Sequence, residues 1–111
     1  METKKAKLYV SLPITGYNLK ERRETAVREG DRAAYELYKE GYTDVQVVNP
    51  FEVCNSYQLL EYNEYIGKDI TALLDCTHMV LLQGWENSKG CRIEKAVAET
   101  IDIEIIEAGT L

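Results

Sequence analysis

The sequence predicts an α/β protein with a small doubly wound parallel sheet, flavodoxin-like or Rossmann-like, with helices on both faces. Short apolar segments alternate with longer amphipathic segments along the chain, and glycine or proline follows most of the apolar ones. This alternation is typical of β-α-β units that form a parallel sheet. The third apolar segment is continuous, which is typical of a strand buried on both faces. We expect about four strands in the order 2-1-3-4, in a single domain covering residues 1–111.

The first strand and the first helix are predicted from their apolar spacing and from the residues that end them. Residues 7–12 (KLYVSL) are mostly apolar, and Pro13 stops the strand. Residues 18–40 carry apolar side chains at helical spacing. Asn18 is a good N-cap and Gly41 a good C-terminal stop, so both ends of this helix are predicted.

The later elements follow the same rules. Pro50 stops the second strand and a loop is expected after it. The run HMVLL is the continuous apolar segment, and it predicts the central strand of the sheet. The expected elements after the first helix are a strand at 44–49, a helix at 58–75, a strand at 78–82, a helix at 88–100 and a strand at 102–106.

Composition excludes several classes of function. A net charge of −6 is unsuited to a protein that coats a nucleic acid polymer or an anionic membrane, since both need a basic face. No apolar run approaches the roughly 20 residues of a membrane span, and no long apolar segment follows the N-terminal METKKAK. The three cysteines form no CxxC pair, and the one histidine, His78, predicts no zinc site. We therefore expect a cytoplasmic protein with reduced thiols, no metal and no membrane partner.

The predicted topology locates a ligand site. In an open parallel sheet, ligands bind beyond the carboxyl ends of the strands, where the strand order reverses. That point lies between the first and third strands, so the loops SLPITGYN and QGWENSKG border it. Five residues at these loops are candidates for binding a substrate: Ser11, Gly16, Trp85, Ser88 and Gly90. The plainer interpretation of Ser88 is a helix cap, and the plainer interpretation of Trp85 is a cover over the core.

Glu94 is the strongest candidate for chemistry. On a helix that begins near Ser88, its face also carries Cys91, Val97 and Ala98, none of them charged. A carboxylate on the apolar face of a helix is costly unless it is paired or used. Cys91 is a weaker alternative as a nucleophile, because no histidine lies near it in the sequence.

Two further residues are candidate partners of Glu94. Asp69 lies beside the apolar stripe of the predicted helix 58–75, although a solvated position at the edge of that stripe is equally consistent with the sequence. Tyr9 lies in the first strand, next to the third strand and the loop that follows it. A tyrosine there can donate a hydrogen bond to a carboxylate and keep it ionised. A simple packing role remains the alternative for Tyr9.

Several segments together resemble bacterial and phage proteins of the nucleoside 2-deoxyribosyltransferase-like family, and more distantly the 2′-deoxynucleoside 5′-phosphate N-hydrolases. The resemblance covers residues from about 7 to 106. It implies a small doubly wound sheet and cleavage or exchange of the N-glycosidic bond of a deoxyribonucleoside or its monophosphate. The segments that carry the resemblance are LYVSLPITG, VVNPFEV, YIGKDITALLDC and LLQGWENSKGCRIEKAVAETIDIEII.

The resemblance also implies roles for individual residues. Glu94 matches the glutamate nucleophile of these families, which follows a polar residue by six positions, and that residue is Ser88 here. A serine at this position is similar to the N-hydrolases, in which it contacts the 5′-phosphate. Asp69 matches the helix aspartate that acts near the base, and Tyr9 matches a strand tyrosine near the nucleophile. The families use no metal or cofactor and are usually homo-oligomers, so we expect a homo-oligomer with no cofactor.

Three departures from the family pattern keep other functions open. Leu12 and Arg92 stand where the families often have glycine, and Thr77 stands where an acidic residue often opens the third strand. A non-catalytic module that binds a nucleotide, as a sensor or to sequester it, is therefore the alternative to a hydrolase or transferase. An enzyme that cleaves NAD or another ribosyl compound is a third possibility. In each case the partner is a small nucleoside or nucleotide, not a nucleic acid polymer.

Overall fold

The computed structural model describes residues 3–14, 16–53 and 62–108. Four strands and four α-helices alternate through most of this part of the chain, with one short 3-10 turn at Trp85–Asn87. The elements are β1 (Lys5–Ser11), α1 (Leu19–Lys39), β2 (Asp44–Val48), α2 (Pro50–Val53), α3 (Tyr62–Leu73), β3 (His78–Leu81), α4 (Lys89–Thr100) and β4 (Glu104–Glu107).

The sheet has the predicted topology. All of its strand pairs are parallel, and the order is β2-β1-β3-β4. The expected α/β class and strand order 2-1-3-4 are therefore confirmed. The chain order reverses between β1 and β3, where Leu8 pairs with His78 and Ser11 pairs with Leu81. The carboxyl ends of these two strands consequently border the predicted crevice.

The two faces of the sheet build two cores from alternate residues of β1. Leu8 and Val10 pack with the buried face of α1, whereas Tyr9 packs with residues of α3 and α4. Every residue of β3 is buried, as its continuous apolar run predicts. The side of β1 that carries Tyr9 and Ser11 is thus the side covered by α3 and α4.

Close packing of α1 on the sheet depends on a glycine. A Cβ atom at Gly30 would lie 3.0 Å from Val47 Cγ1 and 3.1 Å from Val10 Cγ2. Such separations are shorter than ordinary van der Waals contact, so a larger residue would push α1 away from β1 and β2.

Two elements differ from the sequence prediction. The loop expected after β2 begins with the short helix α2, because the Asn49 side chain accepts a hydrogen bond from the Phe51 amide at 2.9 Å and Pro50 opens the helix. The last strand begins at Glu104 and not at residue 102, because Asp102 adopts a left-handed conformation with φ 62°. Residues 58–61 of the predicted helix 58–75 lie outside the described residues.

Within the described residues, no helix combines the length and the apolar character needed to cross a bilayer.

Candidate active site

A cavity of about 560 Å³ opens at the crevice between β1 and β3. Its walls come from three parts of the chain: the loop after β1, the helix α3, and the segment from the end of β3 into α4. This volume is within the range of small-molecule sites. The lining residues are Leu12, Pro13, Ile14, Tyr17, Tyr65, Ile66, Asp69, Gly84, Asn87, Ser88, Lys89, Gly90, Cys91 and Glu94.

Glu94 lines this cavity and is held by two hydroxyl groups. The carboxyl group belongs to a residue that is 4% exposed. Tyr9 donates a hydrogen bond to Oε2 at 2.5 Å, and Ser11 donates one to Oε1 at 2.8 Å. Tyr9 and Ser11 are two residues apart on β1, so both side chains point to the face on which α4 lies. Because the two hydroxyl groups lie on the same face of β1, their hydrogen bonds hold both oxygens of Glu94 in one orientation.

The surroundings of Glu94 disfavour its charged form. Together they raise the pKa of Glu94 from 4.5 to about 8, and burial is the largest influence. The hydrogen bonds from Tyr9 and Ser11 lower the pKa, whereas the negative charge of Asp69 raises it. A carboxyl group with such a pKa exchanges its proton near neutral pH, which is the range in which acid, base and nucleophile residues of enzymes are often found.

Asp69 lies on the same cavity. The residue is 3% exposed and comes from α3, one helical turn after Tyr65, which also lines the cavity. The sequence left a solvated position open, and the structure places Asp69 inside instead. Two buried carboxyl groups, Asp69 and Glu94, therefore share one cavity, and the negative charge of Asp69 makes ionisation of Glu94 less favourable.

The N-terminus of α4 forms another part of the wall. Ser88 is the N-cap, and its Oγ accepts a hydrogen bond from the Cys91 amide at 3.3 Å. Lys89 and Gly90, the first two helical residues, line the cavity. The first amides of a helix have no acceptor within the helix, so they favour an anionic group placed above them. The positive charge of Lys89 acts in the same direction.

Three predicted binding residues, Ser11, Gly16 and Trp85, do not line this cavity. Gly16 is exposed, with φ 86° and open space for 4 Å around the position that a Cβ atom would take. Trp85 packs against the core between α3 and α4, and Lys95 Nζ lies 5.3 Å from its ring centre. The plainer interpretation of Trp85, as a cover over the core, describes its position. Tyr9 and Ser11 contact the site through their hydrogen bonds to the Glu94 carboxyl group.

The structure also adds residues that the sequence interpretation missed. Tyr17, Tyr65 and Lys89 line the cavity, and the first two supply aromatic surface. Lys89 could have been found from its place at the start of a helix beside a predicted ligand site. Tyr17 and Tyr65 have no such signal, because eight tyrosines are spread through the chain.

Cys91 is a poor nucleophile in this setting. It is 1% exposed, and burial raises the pKa of its thiol, an effect that hydrogen bonds with Ser11 and Ser88 oppose. The thiolate is the reactive form, so the geometry favours Glu94 over Cys91. Among the described residues, no group of three or more His, Cys, Asp and Glu side chains is arranged to hold a metal ion.

One comparison with known proteins gives a match. Residues 6–107, nearly the whole chain, match a family described as a domain of unknown function, DUF4406. No curated protein matches the chain. The description of the family names no reaction, ligand or partner.

Proposed function

The chain belongs to the DUF4406 family, and we propose that it cleaves or transfers the N-glycosidic bond of a 2′-deoxynucleoside or its 5′-monophosphate. The nucleophile in this proposal is Glu94. The observation that carries it is a buried carboxylate whose two oxygens are fixed by hydroxyl groups, on a cavity that holds a second buried carboxyl group. The resemblance to the nucleoside 2-deoxyribosyltransferase-like family supports the same residues.

The first step forms a covalent intermediate. One oxygen of ionised Glu94 attacks C1′ of the deoxyribose as the bond from C1′ to the base nitrogen breaks, through an oxocarbenium-like transition state. Asp69 supplies the proton or hydrogen bond that the departing base requires. Tyr9 and Ser11 each occupy one lone pair of the Glu94 carboxylate, so a second lone pair on either oxygen is available for the attack.

The second step releases the sugar. A water molecule or a second base attacks C1′, the carboxylate of Glu94 leaves with the electron pair of the ester bond, and Asp69, which lost its proton in the first step, takes the proton of the attacking group. Water gives hydrolysis and a second base gives transfer. Both steps invert C1′, so the product keeps the configuration of the substrate.

The remaining walls fit the other parts of such a substrate. The amides at the start of α4 and Lys89 suit a 5′-phosphate or 5′-hydroxyl group. Tyr17, Tyr65 and Ile66 offer aromatic and apolar surface to a base. Two buried cysteines without a disulfide, Cys76 and Cys91, support the proposal of a cytoplasmic location. Assembly as a homo-oligomer stays a prediction.

The direct test is release of free base. The protein is incubated with each deoxynucleoside and each deoxynucleoside monophosphate, and the products are separated by chromatography. We expect base release by the wild type and a loss of roughly three orders of magnitude in Glu94→Gln, which keeps the shape of the side chain. Glu99→Gln is the matched control, because Glu99 is an exposed glutamate of the same helix. Full activity in Glu94→Gln would remove Glu94 from the mechanism.

A binding module without turnover is the second candidate, and one observation favours it. Leu12 is 5% exposed and lines the cavity, where it takes space beside the nucleophile. In that case nucleotides raise the melting temperature of the protein, and no free base is formed with any substrate. Replacement of Leu12 by glycine then tests whether the extra side chain blocks turnover.

A further inference from the structure

A second groove lies beside the Glu94 cavity, at the carboxyl end of the sheet. It has a volume of about 980 Å³ and runs between α1 and the carboxyl ends of β3 and β4. It adjoins the Glu94 cavity, because Tyr17, Gly84 and Asn87 line both. Of the residues given roles in the proposed function, only Tyr17 lines this groove, and Glu94, Asp69 and Lys89 do not.

Arg22 is the unusual side chain of this groove. Its guanidinium group lies 4.7 Å from the ring centre of Tyr17. Its Nε atom is shielded from solvent, and among the described residues no acceptor lies within hydrogen-bonding distance of it. A buried donor without an acceptor is costly, by about 1–3 kcal/mol, and is uncommon in folded proteins. The terminal nitrogens of Arg22 are not shielded in this way, so an oxygen-rich anion in the groove would meet them.

The other arginines of the groove differ from Arg22. Arg28 Nε lies 3.6 Å from Glu29 Oε1, and Arg32 Nη1 lies 3.5 Å from Glu29 Oε2. Their charges are partly balanced by this shared carboxylate. Within the described part of the chain, Arg22 forms no ion pair. Its guanidinium is therefore the group best placed to attract an anion.

The opposite wall limits the size of that anion. Glu86 and Glu107, both exposed, line the groove across from α1. Their negative charges repel a polyanion such as a nucleic acid strand or a chain of phosphates. One compact anionic group beside Arg22 avoids this repulsion. Arginine presents parallel N–H donors that match the oxygens of a phosphate.

We propose that this groove is a second ligand site, which binds a single phosphate group, of a phosphomonoester or of inorganic phosphate, through Arg22. The terminal N–H groups of Arg22 donate to the phosphate oxygens. The ring of Tyr17 supports the guanidinium from the side. The site is independent of the glycosidic chemistry proposed for Glu94.

The test is an NMR titration of the full-length, ¹⁵N-labelled protein with inorganic phosphate and then with phenyl phosphate as a simple phosphomonoester. We expect saturable shifts of the Arg22 Nε–H signal and of the amides of Leu82 and Ala108, which line the groove only. Shifts confined to Lys89 and Gly90, which line the Glu94 cavity only, would overturn the proposal. So would the absence of saturable shifts up to about 20 mM phosphate.

Variants separate a specific site from general charge attraction. Arg22→Gln should weaken the binding read at Leu82 and Ala108 at least about tenfold. Arg22→Lys, which keeps the charge but not the planar fork, should weaken it less but measurably. Arg23→Gln makes the same charge change on the same helix outside the groove, and should bind as the wild type does. Equal weakening by Arg22→Gln and Arg23→Gln would show charge attraction alone and overturn the proposal.

A third variant keeps this proposal apart from the proposed enzymatic function. Lys89→Gln changes the Glu94 cavity and leaves the groove unchanged. We expect phosphate binding at Leu82 and Ala108 to persist in Lys89→Gln, and to persist even if no deoxynucleotide is cleaved by the wild type. Loss of these shifts in Lys89→Gln would place the phosphate in the other cavity and overturn the groove site.

Discussion

Two buried ionisable side chains lie at opposite ends of the sheet, Glu94 above its carboxyl edge and His78 at its amino edge. Each is 4% exposed. Glu94 receives hydrogen bonds from a tyrosine and a serine. His78 is within hydrogen-bonding distance of Tyr42 Oη, 3.1 Å from Nε2, and of Thr77 Oγ1, 2.7 Å from Nδ1. By burial and by local partners the two residues look alike.

Their wider surroundings differ. His78 Nε2 also lies 3.0 Å from a carboxylate oxygen of Glu104, whose side chain is 65% exposed. It is not among the residues that line the cavity of about 560 Å³. Glu94 lines that cavity and shares it with the buried carboxyl group of Asp69. Burial of a polar group is therefore common to both residues, and the cavity with a second buried acid is what distinguishes Glu94.

The largest effect expected from the contrast between the Glu94 cavity and the amino edge of the sheet is the loss of activity on replacement of Asp69. Asp69→Asn removes the proposed proton donor and should lower kcat by about 10²- to 10⁴-fold. Asp75 is an exposed aspartate at the amino edge of the sheet, where it forms an ion pair with Lys7. Asp75→Asn should therefore leave kcat unchanged. Steady-state kinetics with the best substrate measure both. Similar losses in the two variants would remove the distinction between the two ends of the sheet.

The pH dependence of stability is the next largest effect. The folded protein keeps a proton on Glu94 up to about pH 8, whereas the unfolded chain releases it near 4.5. The free energy of unfolding should therefore fall as pH rises from about 5 to 8, by at most about 1.4 kcal/mol per pH unit. Glu94→Gln should lack this fall and be the more stable protein at pH 8. Urea unfolding at several pH values measures this dependence, with Glu99→Gln as the control. The prediction is contradicted if the free energy of unfolding of Glu94→Gln falls with pH as steeply as that of the wild type.

Replacement of His78 should have a smaller effect, on stability alone. His78→Gln removes hydrogen bonds between a buried ring and the hydroxyl groups of Tyr42 and Thr77, and should lower the free energy of unfolding by about 2 kcal/mol. Because His78 lies at the amino edge, kcat of the folded protein should not change. Urea unfolding and active-site kinetics on the same preparation test the two statements together. A selective loss of kcat would show that the amino edge also serves the reaction.

The smallest effects separate the two tyrosines. Tyr9→Phe removes a hydrogen bond that lowers the pKa of Glu94, so the rising limb of kcat/KM against pH should move to higher pH. Tyr42→Phe removes a hydrogen bond to His78 and should cost about 1 kcal/mol of stability without moving the pH profile. A shift of the pH profile in Tyr42→Phe, or no shift in Tyr9→Phe, would contradict the assignment of Tyr9 to the Glu94 site and of Tyr42 to stability alone.

Local patterns were sufficient to predict the sheet. Alternation of strands and helices gave the order 2-1-3-4, because right-handed crossovers leave few arrangements of four parallel strands. The short helix α2 was missed because Pro50 was interpreted as a stop. Proline also suits the first position of a helix, and the Asn49 side chain provides the cap. The shift of β4 comes from the left-handed Asp102, a conformation that sequence seldom reveals.

The positions of the candidate residues could be predicted where helical or strand period decides which way a side chain points. The faces of two helices predicted that Glu94 and Asp69 lie near apolar surface, and strand position predicted that Tyr9 lies near Glu94. The period does not give the distance between elements. For that reason Gly16 and Trp85 were expected at the site although the structure leaves them outside its cavity, and Lys89 was missed.

The attachment of Glu94 to two alternate residues of β1 has a consequence for refolding. Tyr9 and Ser11 meet the carboxyl group only while β1 is correctly aligned between β2 and β3, since a slip by one residue turns both hydroxyls to the other face. Recovery of the proposed base-releasing activity after dilution from denaturant should therefore report completion of the central sheet, and a chain with helices alone should show none of it.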